Sequence, residues 1–369
     1  MSQRLIIGVV LLLIAGGIIA VVVATGGDSD DSDSSDNSSS VITLNGYIGS
    51  EKVAFLRNPE VVRILRERYG IEVDFQDLGS IAQVDGSVDT TEMDFLWPSN
   101  EVALALYEER NPGAVSAETI FNSPIVLYSW DFITEALIDQ GLVTENPGAY
   151  YEIDMPRLVA IILAGQQWSE IGISEFSGNI KVESTDPRES NSGNMFYGLL
   201  ANLLVEQETG NEIATSESIV LVLPTMKDYL DGLGTLETGS GDLFKKYITQ
   251  GSGSKPIIVG YESQLIEFSL QNNPDPQLRI LYPRPTVWSS HPLIALTPEG
   301  ERLIEALSDP EIQQIGWTEH GFRSGLASIT SDPADLEVSG IPETITSVRN
   351  LPSPQVMEYM KDYLEGDQQ

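Results

Sequence analysis

The chain has 369 residues, of which 41% are hydrophobic, and its 55 acidic side chains against 20 basic ones give a formal net charge of −35. This length can bury one large core or two domain cores, and the charge argues against nucleic-acid binding because phosphate backbones would be repelled. Cysteine is absent, which excludes thiol catalysis, cysteine metal sites, disulfides and a lipid-modified N-terminal cysteine.

The N-terminus begins with Arg4 followed by an apolar run, residues 5–25, that contains no charged side chain. This run is long enough to cross a bilayer. Arg4 precedes this run, and the charged residues that follow it in 26–40 are all aspartates. This asymmetry orients the N-terminus inward and the remainder outward. A signal peptide cleaved after Ala24 is the alternative, but the run exceeds the usual ~7–15-residue signal core. We therefore expect residues 1–25 to be a transmembrane anchor or a signal peptide, with the anchor favoured, and the rest to be exported.

Residues 26–40 contain no apolar side chain and consist of glycine, serine, asparagine and aspartate. Such a segment cannot bury a core, so it is expected to be a disordered acidic tether about 20 Å in reach. The aspartate repeat is similar to a calcium loop, but it lacks the glycine at the turn position and the terminal glutamate that such loops need, so a solvated linker is favoured.

From residue 41 onward, predicted strands alternate with predicted helices, which indicates an α/β fold with a parallel sheet. The predicted strands are 41–48, 71–75, 92–97, 121–130, 178–183, 256–260, 279–283 and 291–296. The predicted helices are 60–69, 101–110, 154–164, 297–307, 310–320 and 354–364, with further ones opening near Ser50, Ser190 and Glu262. Pro224 is expected to break a helix, and the Gly-Ser segments at 239–241 and 251–254 are expected to be flexible loops.

The most informative stretch is 184–204, STDPRESNSGNMFYGLLANLL, where a polar turn leads directly into an apolar helical pattern. Ser190, Asn191 and Ser192 are alternative N-caps, and Arg188 lies nearby. The helix would direct unpaired backbone N–H groups and hydroxyls at one point, which suits an oxyanion or a carboxylate. A well-capped surface helix without a ligand is the alternative.

Small polar residues also occupy other joins where predicted strands end: Ser50, Ser80, Ser99 and Tyr261. In open α/β sheets, ligands bind at such strand ends. Candidate counter-charges for an anion are Lys52, Arg188 and Arg284.

Seven short motifs follow one another between residues 42 and 323: IGSEK (48–52), DFLWPSN (94–100), SPIVLY (123–128), STDPRESNSG (184–193), IVGYES (258–263), HPLIAL (291–296) and EALSDPEIQQIGWTEHGF (305–322). In this order they resemble the type 2 periplasmic solute-binding proteins, the extracytoplasmic receptors of ABC importers. The tether and the long tail beyond Arg323 depart from that family.

The resemblance implies a two-lobe α/β fold, periplasmic-binding-protein-like of type 2, that here follows an N-terminal transmembrane anchor and closes on its ligand like a hinge. It implies a first lobe of residues 41–124 and 297–369 and a second lobe of residues 125–296. The expected ligand-binding residues are Ser50, Ser80, Ser99, Arg188, Ser190, Asn191, Ser192 and Tyr261.

Signals for catalysis are weak. The two histidines, His291 and His320, do not form a zinc-type pair, and Ser252 and Lys255 satisfy Ser-x-x-Lys only before a strand, where acyl-transfer enzymes have a helix. We expect no catalysis, no metal and no cofactor.

The expected function is capture of a small polar ligand, with an anion favoured, by an exported, membrane-tethered protein. An ABC permease or a membrane sensor is the expected protein partner. The alternative is a cell-surface sensor or protein-interaction module that uses the same fold.

Overall fold

The computed structural model describes residues 41–113, 116–147, 150–272 and 275–366. The predicted anchor (1–25) and tether (26–40) lie outside these residues. Among the helices of the described ranges, none is both long enough and apolar enough to cross a membrane.

The strands come in two groups that share one long member, β4. In chain order they are β1 (Ile42–Ile48), β2 (Ile71–Asp77), β3 (Phe95–Trp97), β4 (Ser116–Trp130), β5 (Val143–Asn146), β6 (Tyr150–Asp154), β7 (Ile258–Tyr261), β8 (Leu278–Arg284), β9 (Trp288–Ala295) and β10 (Arg323–Ser324).

The helices lie between these strands and over their faces. They are α1 (Val53–Leu56), α2 (Pro59–Tyr69), α3 (Glu101–Arg110), α4 (Asp131–Asp139), α5 (Met155–Leu163), α6 (Asn191–Thr209), α7 (Leu223–Leu233), α8 (Ser240–Gln250), α9 (Glu262–Gln271), α10 (Pro298–Leu307), α11 (Pro310–His320) and α12 (Pro354–Glu365). Several begin at side chains that accept a hydrogen bond from the first turn, as N-caps do: Asn58, Asn100, Asp154, Thr297 and Asp309.

The first lobe is built on β2, β1, β3, β9 and the start of β4, in that order, with β10 also on β4. The second lobe is built on the end of β4, with β7 on one side and β8, β6 and β5 on the other. Strands β2 and β3 run parallel to β1, and β6 runs parallel to β8, but β7, β8 and β9 are antiparallel to β4. The prediction of a parallel sheet was therefore wrong around β4, because β9 carries the chain back into the first lobe against the direction of β4.

Three local predictions also differ from the structure. Residues 178–183 bury Ile180 and Val182 but pair with β7 only at Glu183, so their apolar alternation reflects burial without a strand. Pro224 lies in the first turn of α7, where a missing N–H costs little. Ser240 begins α8, so the first Gly-Ser segment opens a helix and is not a flexible loop.

The chain crosses between the lobes within β4, between Pro124 and Ile125, and returns between Arg284 and Trp288. Thr286 Oγ1 donates a hydrogen bond to the Ile125 carbonyl (2.5 Å), and the Ile125 N–H donates to the Val287 carbonyl (3.0 Å). The sequence placed the lobe limits at 124/125 and 296/297. The first sheet change lies at that position, whereas β9 already pairs with first-lobe strands, so the return comes earlier.

The C-terminal segment follows the same crossing. The Thr286 N–H donates to the Ser347 carbonyl (3.0 Å), and the Arg349 N–H donates to the Thr286 carbonyl (2.8 Å). Helix α12 then contacts α6 and α7 of the second lobe and α3 of the first. Its buried side chains recur at helical spacing and join the second-lobe core: Val356, Met357, Met360 and Leu364. The sequence assigned 297–369 to the first lobe, but this apolar stripe is buried mainly in the core of the second lobe.

A buried ion pair connects the first lobe, the second lobe and the C-terminal segment. Arg323 at the end of the first lobe donates from Nε to Glu262 Oε2 (2.6 Å) and from Nη2 to Glu262 Oε1 (2.9 Å), at the start of α9 in the second lobe. Tyr282 Oη also donates to Glu262 Oε1 (2.7 Å). The remaining Arg323 donors bind the carbonyls of Pro342 (2.7 Å) and Glu343 (3.1 Å) in the C-terminal segment.

Replacing Arg323 by Met is expected to destabilise the protein by about 3–5 kcal/mol, because Glu262 would be left as an unpaired buried charge. Guanidinium unfolding measures this change. Arg63→Met, which breaks ion pairs on the exposed face of α2, is the control and should change stability much less. A double variant, Arg323→Met with Glu262→Leu, should recover much of the lost stability. An equal loss of stability in the double variant, in Arg323→Met and in Arg63→Met would contradict the role of the buried ion pair.

Candidate ligand-binding site

A buried lysine lies at the point where β1 ends and the chain turns. Gly49 leads into a short 3-10 helix, Ser50–Lys52, and the Lys52 side chain is fully buried. Its Nζ donates to Ser99 Oγ (2.7 Å) and lies 2.5 Å from Glu51 Oε1 and 3.2 Å from His291 Nδ1. A buried ammonium needs such partners to offset its lost hydration.

We call the surrounding groups the polar cluster; its members are Glu51, Lys52, Ser99, Asn191, Tyr261, Ser289 and His291. All of them except Glu51 and Asn191 are buried.

His291, on β9, has its tautomer fixed by its neighbours. The Lys52 ammonium can only donate, so His291 Nδ1 accepts and the ring proton lies on Nε2. Nε2 then donates to Ser289 Oγ (3.3 Å), and Ser289 Oγ donates to the Ser99 carbonyl (2.7 Å). The first-lobe half of the cluster is thus a continuous chain of donors and acceptors.

Asn191 contributes the second-lobe half. It is the first residue of α6, and its Nδ2 donates to the Ser99 carbonyl (3.2 Å) and to Tyr261 Oη (3.1 Å). Asn100 Nδ2, in the first lobe, donates to Asn191 Oδ1. One amide therefore links the end of β3 to the end of β7 across the lobes.

The start of α6 is held against the loop before it. Ser192 Oγ lies 2.8 Å from Thr185 Oγ1, and Gly193 packs on the backbone of Thr185 and Asp186. Ser190 is the N-cap residue by position, but its side chain makes no capping hydrogen bond to the first turn. The helix thus begins with backbone donors that no capping side chain satisfies.

A cavity of about 150 Å³ adjoins the polar cluster. The first-lobe loop 79–85 lines one side, residues 187–194 line the other, and Lys361 of α12 lies at its edge. Ser80 and Asn191 connect the cavity to the cluster, because Ser80 Oγ accepts from the Ser99 N–H (2.9 Å) and Asn191 bonds to the Ser99 carbonyl. The volume suits an inorganic ion or a small organic acid.

The structure brings together most of the predicted site residues. Those in the cluster or along the cavity are Ser80, Ser99, Arg188, Ser190, Asn191 and Tyr261, and Ser192 lies directly behind Ser190. Ser50 is exposed, and its hydroxyl makes no hydrogen bond to another described residue. Whether any of these side chains binds a ligand stays a prediction.

The three candidate counter-charges have different environments. Lys52 is at the centre of the polar cluster. Arg188 is 37% exposed and is paired twice with Asp186, through Nε to Oδ1 (2.8 Å) and Nη2 to Oδ2 (2.5 Å). Arg284 is about half exposed and pairs with Glu152 (2.9 Å), outside the polar cluster.

Four residues at the site were not predicted from the sequence: Glu51, Asn100, Ser289 and His291. Glu51 lies between two candidate residues, Ser50 and Lys52, and Ser289 and His291 alternate along β9, so both point to one face of the sheet. That alternation is a signal that could have been found. The proximity of β9 to the end of β3 could not, because it depends on long-range pairing.

The titratable groups of the cluster are strongly perturbed. Burial raises the pKa of the Glu51 carboxyl, but the Lys52 ammonium and the hydrogen bonds from Lys52 and Ser99 outweigh it and lower that pKa to about 2. Burial lowers the pKa of Lys52, although Glu51 opposes the shift. Burial and the adjacent Lys52 charge lower the pKa of His291 to about 3, so its imidazole is neutral at neutral pH. Burial, with the nearby Glu51 charge, raises the pKa of Tyr261.

No cluster of metal-ligating side chains was found among the described residues. The Ser-x-x-Lys sequence does not form a nucleophile and base pair, since Lys255 Nζ bonds to Glu183 and no hydrogen bond of the described chain joins Lys255 to Ser252. The geometry of the polar cluster is suited to holding an anion or a polar group by hydrogen bonds and one buried positive charge.

Solved structures similar to this chain include substrate-binding and ion-binding proteins. Pasteurella haemolytica apo ferric ion-binding protein A matches over 88% of this chain and 96% of its own, at 12% identity and a TM-score of 0.54. The substrate-binding protein of an ABC transporter from Agrobacterium tumefaciens matches over 89% of this chain and 96% of its own, at 15% identity and a TM-score of 0.53. The chain has the fold of the type 2 periplasmic solute-binding proteins. This confirms the fold that the ordered motifs predicted.

A further similar structure is a two-component system protein that mediates signal transduction, matched over 86% of this chain and 100% of its own, at 10% identity and a TM-score of 0.53. No protein-family model and no curated protein sequence matches the chain.

Replacing Gly193 by Ala is expected to destabilise the protein by about 1–3 kcal/mol, because the added methyl would overpack the loop before α6. Its carbon would lie 2.9 Å from the Asp186 carbonyl carbon and closer still to the Thr185 carbonyl oxygen. Chemical denaturation measures the loss. Gly232→Ala in α7 is the matched control, since nothing lies within 4 Å of its added carbon and the helix should tolerate it. Equal stability of the two variants would show that the loop yields without cost.

His291 should make the protein less stable as pH falls from about 6.5 to about 3. In this window the unfolded chain binds a proton on His291 and the folded protein does not, so folding free energy is lost at up to about 1.4 kcal/mol per pH unit. The slope of unfolding free energy against pH should be smaller in His291→Asn. Proton NMR provides the direct check, because the chain has only 2 histidines. An imidazole at position 291 that titrates near pH 6.5 in the folded protein would refute the assignment.

Proposed function

We propose that this protein is an exported solute-binding protein, held at the membrane by its N-terminal segment, that captures a small polar and anionic ligand between its two lobes. The observation that carries the proposal is the polar cluster. It is assembled from both lobes, at the ends of β1, β3 and β7 and the start of α6, and it adjoins a cavity of about 150 Å³.

The ligand's charge is inferred from the groups that would meet it. The Lys52 ammonium, the Ser99 hydroxyl and the Asn191 amide are donors, and the first turn of α6 adds backbone N–H groups and the positive end of its dipole. The net charge of −35 repels anions at long range. Salt screens that repulsion beyond about 8 Å, so the local donors decide binding.

Binding without catalysis fits the same geometry. The amide of Asn191 bonds to Ser99 across the lobes, so closure of the lobes and formation of the site are a single event. A ligand that adds donors and acceptors between the lobes would stabilise the closed state by its differential affinity for that state.

The proposed protein partner is an ABC permease or a membrane sensor. The similar structure from an ABC transporter supports the first, and the similar two-component system protein supports the second. The apolar run at 5–25 supports export and attachment to the membrane.

Thermal melts of the full chain against a panel of oxyanions, amino acids, sugars and small peptides test the proposal. Saturation at about 100 times Kd would stabilise the protein by about 2.7 kcal/mol, and an oxyanion or a small acid should give the largest shift. Asn191→Ala should weaken binding of the active compound by about 1–2 kcal/mol, roughly tenfold, because it removes the bond between the lobes.

Asn111→Ala is the matched control, since this exposed asparagine at the end of α3 bonds only to the Tyr107 carbonyl among the described residues. It should leave the affinity unchanged. Absence of a shift with every compound would count against solute binding and in favour of the sensor or interaction module.

A further inference from the structure

Glu51 has an arrangement that the proposed function does not explain. Its Oε1 accepts from Ser99 Oγ and from Lys52 Nζ (2.5 Å), and it lies 3.6 Å from His291 Nδ1. The carboxylate also folds back over Gly49, where an added Cβ would lie 2.8 Å from Glu51 Oε2. A carboxylate of the protein itself therefore occupies the centre of the polar cluster.

These contacts are the ones that an oxyanion ligand would need. Lys52 supplies the buried positive charge and Ser99 supplies a hydroxyl donor, and both are directed at a single carboxylate oxygen. Tyr261, on the second-lobe side, is joined to the Ser99 carbonyl through the Asn191 amide (3.1 and 3.2 Å), and burial together with the Glu51 charge raises its pKa. A ligand anion at this point would lie between the same groups.

Glu51 is less firmly held than Lys52. Its side chain is 22% exposed, whereas that of Lys52 is fully buried. Among the described residues, no hydrogen bond involves Glu51 Oε2, whereas Lys52 Nζ also contacts Ser99 Oγ and His291 Nδ1. A change of rotamer can therefore move the carboxylate toward solvent while Lys52 stays in place.

We propose that Glu51 is a built-in competitor of the ligand, whose carboxylate occupies the oxyanion position beside Lys52 and Ser99 and must leave before an oxyanion ligand can bind there. This inference rests on the proposed function. It makes Glu51 a residue that sets affinity and selects ligands able to displace a carboxylate. The class of ligand is a small oxyanion, either tetrahedral or a carboxylate.

The test compares the wild-type full chain with Glu51→Ala by isothermal titration calorimetry, using sulfate, inorganic phosphate and succinate as probes. If the wild-type site is filled by Glu51 about 90% of the time, its removal raises apparent affinity about tenfold. Sulfate and phosphate test for a tetrahedral oxyanion, and succinate tests for a carboxylate. Glu51→Ala alone should melt at a lower temperature than the wild type, and the tighter-bound probe should restore that temperature, because it supplies the missing negative charge beside Lys52.

Glu208→Ala is the matched control, since Glu208 is an exposed carboxylate near the end of α6, outside the cavity and the polar cluster, and its removal changes the net charge by the same amount. It should change affinity less than about twofold. Equal gains in the two variants would mean that general electrostatics account for the effect, which would overturn the inference.

The remaining outcomes are also decisive. If the wild type binds a probe and Glu51→Ala binds it equally or more weakly, Glu51 is a fixed counter-ion or a ligand contact, and the inference fails while the proposed function stands. If neither protein binds any probe but another compound of the wider panel stabilises the wild type, the oxyanion class is wrong. If nothing binds to either protein, the proposed function and the inference both fail.

Discussion

The buried pair between Arg323 and Glu262 is the contact on which the arrangement of the lobes depends. Arg323 closes the first lobe, Glu262 starts α9 in the second, and the remaining Arg323 donors hold residues 342 and 343 of the C-terminal segment. Two desolvated charges are stable here only because each of them is paired and hydrogen-bonded. The pair therefore couples the crossing strands to the tail, and α12 adds an apolar contact with both lobes on the far side.

The polar cluster also holds a buried charge that is paired within the protein. Lys52 is buried and needs an anion, and Glu51 provides it. Asn191 fills the gap between the lobes with its own amide. The site is thus satisfied by the protein's own side chains, so a ligand gains only the difference between its contacts and those it replaces. Under the proposed function, affinity would be set by how easily the internal partners leave.

The short joins where strands end were predictable because their residue types are dictated locally. Ser80, Ser99, Asn191 and Tyr261 follow predicted strands or precede predicted helices, and N-capping at Asn58, Asn100, Thr297 and Asp309 follows from side chains that accept from the first turn. His291 and Glu51 were missed for a physical reason. Their role comes from β9 lying beside β3 and from the rotamer of one carboxylate, and neither is encoded by spacing along the chain.

The sequence by itself determined the alternation of strands and helices, most helix starts, and the ordered motifs that indicate the two-lobe fold, because these depend on apolar periodicity and local hydrogen bonding. The tertiary structure decided the antiparallel return through β9, the burial of α12 in the second-lobe core, and the meeting of Lys52 with His291. Each of these joins residues far apart in the chain. Such contacts form only when two distant segments bury apolar surface or pair polar groups against each other, and the partner of each segment is not specified by its own sequence.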